Sequence, residues 1–333
     1  MAALRRRDLG KATPAKARLG KAGPSSGPSR ASAPGLDRAP RVALVVKRSA
    51  WRLYVEERQD EQLATLVARD DATVLPLRAA HEAHEGTVRE VKEALASVGA
   101  EILAERRAGE RFDATGLDLV VTVGGDGTLL AASHDVGDVP ILAINSAPLH
   151  SVGFFCGARS GEVLEAIRAA LRGGLRRAVL SRMHVTRNGE VISARVLNDA
   201  LFCHASPAAT SRYIVRVREV EEQQKSSGFW IGPAAGSTAA QRSAGGRVLP
   251  LTSQQLQLVV REPYTPHGES YKLRHALVPS GEAVLVRSKM HDARIFLDGP
   301  EHAVDIGYGD TIAFTHASEP LTVLGIWSRR KWG

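Results

Sequence analysis

Residues 117–128 read Leu-Asp-Leu-Val-Val-Thr-Val-Gly-Gly-Asp-Gly-Thr, a nearly continuous apolar run that gives way to three glycines set around one acid. A strand without polar alternation is covered on both faces, and in globular proteins that means a parallel sheet flanked by helices. Glycine removes the side chain that would keep the backbone away from a ligand, so a Gly-Gly-Asp-Gly turn marks a close approach. The helical pattern over Leu129–His134 follows at once, and the first amides of such a helix are donors for a phosphate. Asp126 then stands at the carboxyl end of a strand, where open α/β sheets hold their ligands. A carboxylate there can accept the proton of an attacking hydroxyl, as an acid does when an alcohol is the nucleophile of a phosphoryl transfer. Neither G-x-x-x-x-G-K-[ST] nor G-x-G-x-x-G fits these glycines, which argues against a P-loop enzyme and a hydride-transferring dinucleotide fold.

The rest of the chain divides around this turn. Val42–Val46 predicts a strand, Trp51–Ala68 a surface helix, Thr73–Leu77 a second strand, His81–Val98 a charged helix stopped by Gly99, and Val139–Ile144 another apolar strand. After a helix at Gly161–Leu171 the texture changes. Val179–Thr186 and Val191–Leu197 flank Asn188-Gly189, a strong two-residue hairpin signal. Alternating runs continue at Arg212–Val217, Leu256–Val260, Ala293–Leu297, Thr311–Phe314 and Leu321–Leu324. The small-residue stretch Gly232–Gly246 suits a loop entering a short helix. The expectation is an α/β domain with a parallel sheet over residues 41–175 and a mostly antiparallel β domain over 176–310. Residues 311–333 are expected to return to the first domain as C-terminal strands.

Charge sharpens the division. The 44 basic and 36 acidic side chains leave +8, and residues 1–41 carry all of it: ten Lys or Arg against Asp8 and Asp37, with 34 of each sign beyond. Residues 1–40 also hold Pro14, Pro24, Pro28, Pro34 and Pro40, too closely spaced for an element, so the reading is a disordered basic tail, with a transit peptide as the alternative. Aromatic content of 5% disfavours binding of nucleic acid by stacking. No apolar stretch approaches the roughly 18 residues of a membrane-spanning helix. Cys156 and Cys203 are the only cysteines, too few for a disulfide framework or a thiolate zinc site.

Gly124-Gly125-Asp126-Gly127-Thr128 resembles the signature shared by NAD kinases, the diacylglycerol and sphingosine lipid kinases and, more loosely, phosphofructokinases. Three further segments separate these. Asn198-Asp199, after Val196-Leu197, is similar to the Asn-Glu/Asp pair of NAD kinases, and Gly236–Gly246 to their Gly-Ser-Thr-Ala…Ser-Ala-Gly-Gly stretch, for which lipid kinases have no counterpart. Val152-Gly153-Phe154-Phe155, following Ile144-Asn145, is similar to their Asn…Leu-Gly-Phe segment. The resemblance, which runs from about Leu117 to Asp310, implies a Rossmann-like α/β domain ahead of the β domain. It implies transfer of a phosphoryl group from ATP, as its Mg2+ complex, to the 2′-hydroxyl of the adenosine ribose of NAD or NADH. A lipid kinase sharing the glycine turn is the alternative.

The same resemblance assigns roles. Asp126 is the proton acceptor, with Gly124, Gly125, Gly127 and Thr128 in its turn. Asn198 and Asp199 bind the nucleotide, Phe154 walls the adenine, and Thr238, Ala239, Ala240, Gln241, Arg242 and Ser243 contact the dinucleotide. Lys225 aligns with a position that is often basic or His, and a solvated lysine is an equal reading. No resident metal site and no tightly bound organic cofactor are implied. The expected partners are NAD or NADH and ATP, with no nucleic acid and no membrane, in a cytoplasmic dimer or tetramer. A transit peptide would instead place it in an organelle. Departures from the family pattern are Ser227-Gly228-Phe229 where Asp-Gly-Leu is common, and Ala240 where tyrosine is. This variant most resembles the plant NADH kinase branch, and the lost carboxylate bears on the choice between NAD and NADH.

Other features read as structural. His81-Glu82-Ala83-His84-Glu85 spaces its histidines three apart, not the four of a zinc helix, and is expected on a solvated face. Asp298-Gly299 stands where the family usually has Asp-Gly-Gln before a late strand, but Pro300 replaces the Gln and the pair reads as a turn; Cys156 and Cys203 read as packed thiols, and His134 and His204 either as structural residues or as phosphate neighbours.

Overall fold

The computed structural model describes residues 38–265 and 270–327. Nearly all of the basic N-terminal segment lies outside the described residues. Strands β1 (Arg41–Val46), β2 (Glu101–Arg107), β3 (Leu119–Gly124), β4 (Ile141–Asn145), β5 (Ala158–Arg159) and β6 (Arg177–Leu180) alternate with helices α1 (Glu61–Ala68), α2 (Leu75–Ser97), α3 (Asp126–Ser133) and α4 (Val163–Leu171). Then come β7 (Met183–Arg187), β8 (Glu190–Val196), β9 (Ala200–His204), β10 (Ser211–Val217), β11 (Val220–Ser226) and β12 (Phe229–Gly232). A 3-10 turn (Ala234–Thr238), helix α5 (Ala240–Ser243), β13 (Leu256–Val260), β14 (His275–Val278), β15 (Val284–Ser288), β16 (Ala293–Leu297), β17 (Ala303–Ile306), β18 (Thr311–His316) and β19 (Leu321–Leu324) complete the order.

The first sheet runs β2-β1-β3-β4-β19-β6, with β5 beside β4. Its β1, β3, β4 and β19 pairings are parallel, and β6 joins antiparallel. The apolar strands are explained by their two covers. Val42, Leu44 and Val121 pack with Val91 and Leu95 of α2 and Ile167 of α4, while Ala43, Val45 and Val120 pack with Leu129 of α3. The second half is two six-stranded antiparallel sheets, β11-β10-β15-β18-β7-β8 and β14-β13-β12-β9-β16-β17. Their inner faces share one core, in which Tyr213 and Phe314 of one sheet meet Phe202 and Phe229 of the other. Strand β10 shows the required alternation, with Ser211, Tyr213, Val215 and Val217 inward. Asn188 and Gly189 take φ of 52° and 87°, the positive pair of a type I′ turn, between β7 and β8.

Three local expectations are corrected. Thr73–Leu77 is not a strand: α2 starts at Leu75, and Pro76 in its first turn suits a helix start. The second strand is Glu101–Arg107, an edge strand whose charged, exposed residues hide it from a hydrophobicity reading. Trp51–Ala68 is not one helix, because Gln59 takes φ of 50° and Asp60 restarts the chain as N-cap, accepting the Leu63 N–H at 2.9 Å. Val179–Thr186 is split at Ser181-Arg182 between β6 of the first sheet and β7 of a second. Arg182 is why: its fully buried guanidinium donates to Ser133 O (3.0 Å), Val136 O (2.8 Å), Glu319 and Pro320 O, which pins the crossing. Strand β6 thus lies in the first sheet beside β19, and β18 pairs with β15 and β7 in the second. Of 311–327, the strand beside β4 is Leu321–Leu324. Among the described residues no helix is long and apolar enough to cross a membrane.

Candidate active site

Strand β3 ends at Gly124 and α3 begins at Asp126, so the turn holds a single linking residue, Gly125. A Cβ on Gly124 would collide with Thr128 Oγ1 and Lys47 Cβ, and one on Gly125 with Ser151 Oγ. The Asp126 carboxylate is held by the next loop: it accepts the Phe154 N–H at 2.9 Å and the Phe155 N–H at 2.7 Å. That loop is shaped by Gly153, at φ of 60° against the Asn145 side chain, and Asn145 Nδ2 donates to Ser151 O at 3.0 Å. Each carboxylate oxygen keeps a lone pair beyond its amide bond, so Asp126 can still accept a proton. Cys156 follows in the same loop, and burial together with the Asp126 charge pushes its thiol up to about 12. Burial raises Cys203 as well, so neither is a thiolate nucleophile near neutral pH.

The second motif sits between β8 and β9. Asn198 Nδ2 donates to Asp199 Oδ2 at 2.9 Å. Asp199 is buried, and that burial, with the Asp298 charge beside it, pushes its carboxyl up to about 7. The backbone N–H groups of Leu197, Asn198 and Asp199 all donate to the Asp298 carboxylate, at 2.8, 2.6 and 3.1 Å. The third motif is folded onto the second. A Cβ on Gly232 or Gly236 would strike the Asn198 carbonyl, which explains why glycine occupies both positions. Ser237 Oγ donates to Ala234 O at 2.7 Å and accepts the Leu249 N–H at 2.9 Å, closing the 3-10 turn.

A shared core joins the three segments. Leu129 and Leu130 of α3, Phe155, Leu197 and Ala235 lie in one buried cluster, with half-buried Phe154 packed against it. Helix α3, the Asn-Asp loop and the 234–238 turn thus border one core cluster, with the last two in direct contact.

Not every residue expected there has a side chain free for a ligand. Gly127 is exposed and opens to empty space. Thr238 and Ala240 are half-buried, and Ala239, Arg242 and Ser243 are exposed. The Gln241 side chain is fully buried on the inner side of α5, where its Oε1 accepts Gln257 Nε2 at 3.0 Å and its Nε2 reaches Asn198 O at 3.5 Å, so only its backbone is left for a ligand. Thr128 is likewise buried, packed on Gly124 inside the turn. Lys225 is half-buried on β11, where its N–H donates to Tyr271 Oη at 3.2 Å and its carbonyl accepts the Tyr264 N–H at 2.8 Å. Its backbone contacts run to that neighbouring segment.

The histidine motif is also corrected. His84 is buried, not solvated, with Nδ1 2.9 Å from Ser146 Oγ and Nε2 3.0 Å from Lys47 O, and burial lowers its pKa. It staples α2 to the chain just past β1 and β4. Among the described residues no group of three His, Cys, Asp or Glu side chains is placed to hold a metal ion. Asp298, read as a turn residue, is the largest omission of the sequence reading, and His134 Nε2 lies 3.1 Å from its Oδ2, off the hydrogen-bond direction. A positive φ of 54° and a following glycine are the turn's signature, but nothing local marks the carboxylate's three distant partners. His204 closes a local turn, accepting the Ser206 N–H on Nδ1 at 2.9 Å.

Comparison with known proteins adds the following. Residues 31–171 match the model of the ATP-NAD kinase N-terminal domain. The chain is 35% identical over 230 residues to a probable NADH kinase of Oryza sativa subsp. japonica, spanning 62% of this chain and 71% of that protein. It is 32% identical over 230 residues to an NADH kinase of Arabidopsis thaliana, spanning 62% and 72%. Among solved structures, an NAD kinase from Archaeoglobus fulgidus in complex with ATP shares the fold, with a TM-score of 0.59 at 20% identity over 85% of this chain and 92% of that one.

Proposed function

The chain belongs to the NAD kinase family, and from that premise we propose that it transfers the terminal phosphoryl group of ATP to the 2′-hydroxyl of the adenosine ribose of NAD or NADH, yielding NADP or NADPH. It is a phosphotransferase with an alcohol as acceptor. The observation that carries the reading is the placement of Asp126: at the carboxyl end of a parallel strand, on the first residue of a helix, its carboxylate oriented by two backbone amides. The transition state of such a transfer is loose and spreads charge over the phosphoryl oxygens, so the protein's tasks are positioning and charge neutralisation. The start of α3 supplies amides and the positive end of a helix dipole. Asp126 takes the hydroxyl proton as the bond to phosphorus forms. Asn198 and Asp199 offer an amide and a carboxyl to the base edge and ribose of the nucleotide. Phe154 gives the adenine an apolar wall, and exposed residues 239, 242 and 243 with half-buried Thr238 and Ala240 border the dinucleotide.

Magnesium would enter as part of the ATP substrate and would neutralise charge on its phosphates. Self-association into a dimer or tetramer and a cytoplasmic location complete the proposal, the latter supported by two free cysteines. The lipid-kinase alternative finds no support in the relatives. The test is transfer from radiolabelled ATP to NAD, NADH or diacylglycerol, with and without EDTA. Label is expected in NADP or NADPH only, and chelation should abolish it. Asp126→Asn should lower kcat by about 10²–10⁴-fold in a folded protein, the usual contribution of a positioned base. Equal rates for the two proteins would remove Asp126 from its role.

A further inference from the structure

The Asp298 side chain is 1% exposed and turned wholly inward, onto the main chain of the Asn-Asp loop. Besides accepting three N–H groups from residues 197–199, Asp298 donates its own N–H to Asp199 O at 2.9 Å, so loop and turn are bonded both ways. A carboxylate is suited to this because it only accepts. The nearest isostere, asparagine, would aim an N–H₂ at amides that also donate. The position is demanding in conformation as well, with φ of 54° at Asp298, which Asp and Asn tolerate better than most residues.

On its other side the same carboxylate meets α3. His134 closes that helix, and its ring stands between Asp298 (3.1 Å) and the His302 ring (4.7 Å between centroids), while its carbonyl accepts Arg195 Nη1 at 3.1 Å. Helix α3 therefore starts with Asp126 and ends against the group that holds residues 197–199. An eight-residue helix is a strut of roughly 12 Å, stiff on the scale that matters for in-line transfer.

We propose that Asp298 is a positioning residue for the phosphoryl transfer: by binding the 197–199 main chain and abutting the end of α3, it sets where Asn198 and Asp199 stand relative to Asp126. This rests on the reading of Asn198-Asp199 as the dinucleotide-holding pair. Because the Asp298 carboxylate is 1% exposed and taken up by the 197–199 amides, it acts through that loop, and its loss should act on binding of the dinucleotide more than on the chemistry.

The test is Asp298→Asn in the full chain, with both substrates titrated. KM for NAD and NADH should rise at least tenfold, KM for ATP with magnesium should stay within twofold, and kcat should fall by less than KM rises. By NMR, the amide protons of residues 197–199 should move upfield, while those of Phe154 and Phe155, bound to Asp126, stay in place. Ile295→Ala, a core change in β16, controls for stability and should leave all KM values within twofold. Unchanged dinucleotide KM in a folded Asp298→Asn protein, or an equal rise in the Ile295→Ala control, would overturn the proposal. If Asp298→Asn does not fold, hydrogen exchange of the wild type decides: slow exchange at amides 197–199 in the free enzyme supports it, and exchange at the rate of open loops rejects it. A wild type that phosphorylates neither NAD nor NADH would defeat the functional reading instead, and the exchange and NMR signatures would still report the loop's attachment.

Discussion

At single residues the site is governed by close packing and by the displaced titration of Asp199. Gly236 lies against the Asn198 carbonyl, so Gly236→Ala must push the 234–238 turn off the Asn-Asp loop. A cost of about 1–3 kcal/mol is expected, read as a lower melting temperature together with weaker dinucleotide binding. Asp199 predicts a pH dependence. Its carboxyl titrates near 7 in the folded protein against about 4 when unfolded, so the fold holds the proton more tightly than the unfolded chain does. The stability this contributes is complete below pH 4 and is lost as pH rises through 7. Denaturant unfolding of wild type and Asp199→Asn across that window should therefore show the wild type losing stability relative to the variant, with no further divergence above about pH 8. Ser227 bears on substrate choice. Arg261 Nη1 stands 3.4 Å from the Ser227 carbonyl, at the position where the resemblance to the family implies a carboxylate. The oxidised nicotinamide is cationic and the reduced one neutral, so Ser227→Asp is expected to shift the kcat/KM ratio toward NAD, by about tenfold if the new charge is partly desolvated.

At the level of elements, α3 is what the site turns on, because it is anchored at both ends by residues far off in sequence. Phe154 and Phe155 amides hold its first residue. Arg182 and Arg195 take carbonyls at and just past its C-terminus, Ser133 O, His134 O and Val136 O, as a cation does at a helix C-terminus. Both guanidinium groups also meet Glu319, at 3.1 and 2.8 Å, from the connection between β18 and β19. Arg182→Met keeps much of the volume but strands Ser133 O, Val136 O and Pro320 O, and about 3 kcal/mol of stability should be lost in denaturant unfolding. The elements also show where local pattern fails. Edge strand β2 is charged because only one of its sides is paired, and the break between β6 and β7 exists because one arginine is tied to the end of α3.

Over the whole molecule, the net charge and the site belong to different segments. The +8 resides in residues 1–41, and residues 42–333 sum to zero, so anion binding in the body depends on local amides. Removing residues 1–37 is expected to leave kcat/KM within twofold and the melting temperature unchanged, as a phosphotransfer assay and thermal unfolding would show. What the sequence determined alone was whatever is local and periodic. The buried strand before Gly124, the glycine turn at Asp126, the type I′ turn at Asn188-Gly189 and the alternation of β10 are each encoded within a few residues, because backbone sterics and one- or two-faced burial act over that range. The three motif segments were legible too, as short runs of small and polar residues. Only the tertiary structure decided which of those residues face inward: Gln241 and Thr128 are consumed by packing, His84 is an internal staple, and Asp298 leaves its turn to hold the Asn-Asp loop. Such roles arise where segments a hundred residues apart desolvate each other's polar groups, and a buried amide must find its acceptor wherever the fold places one.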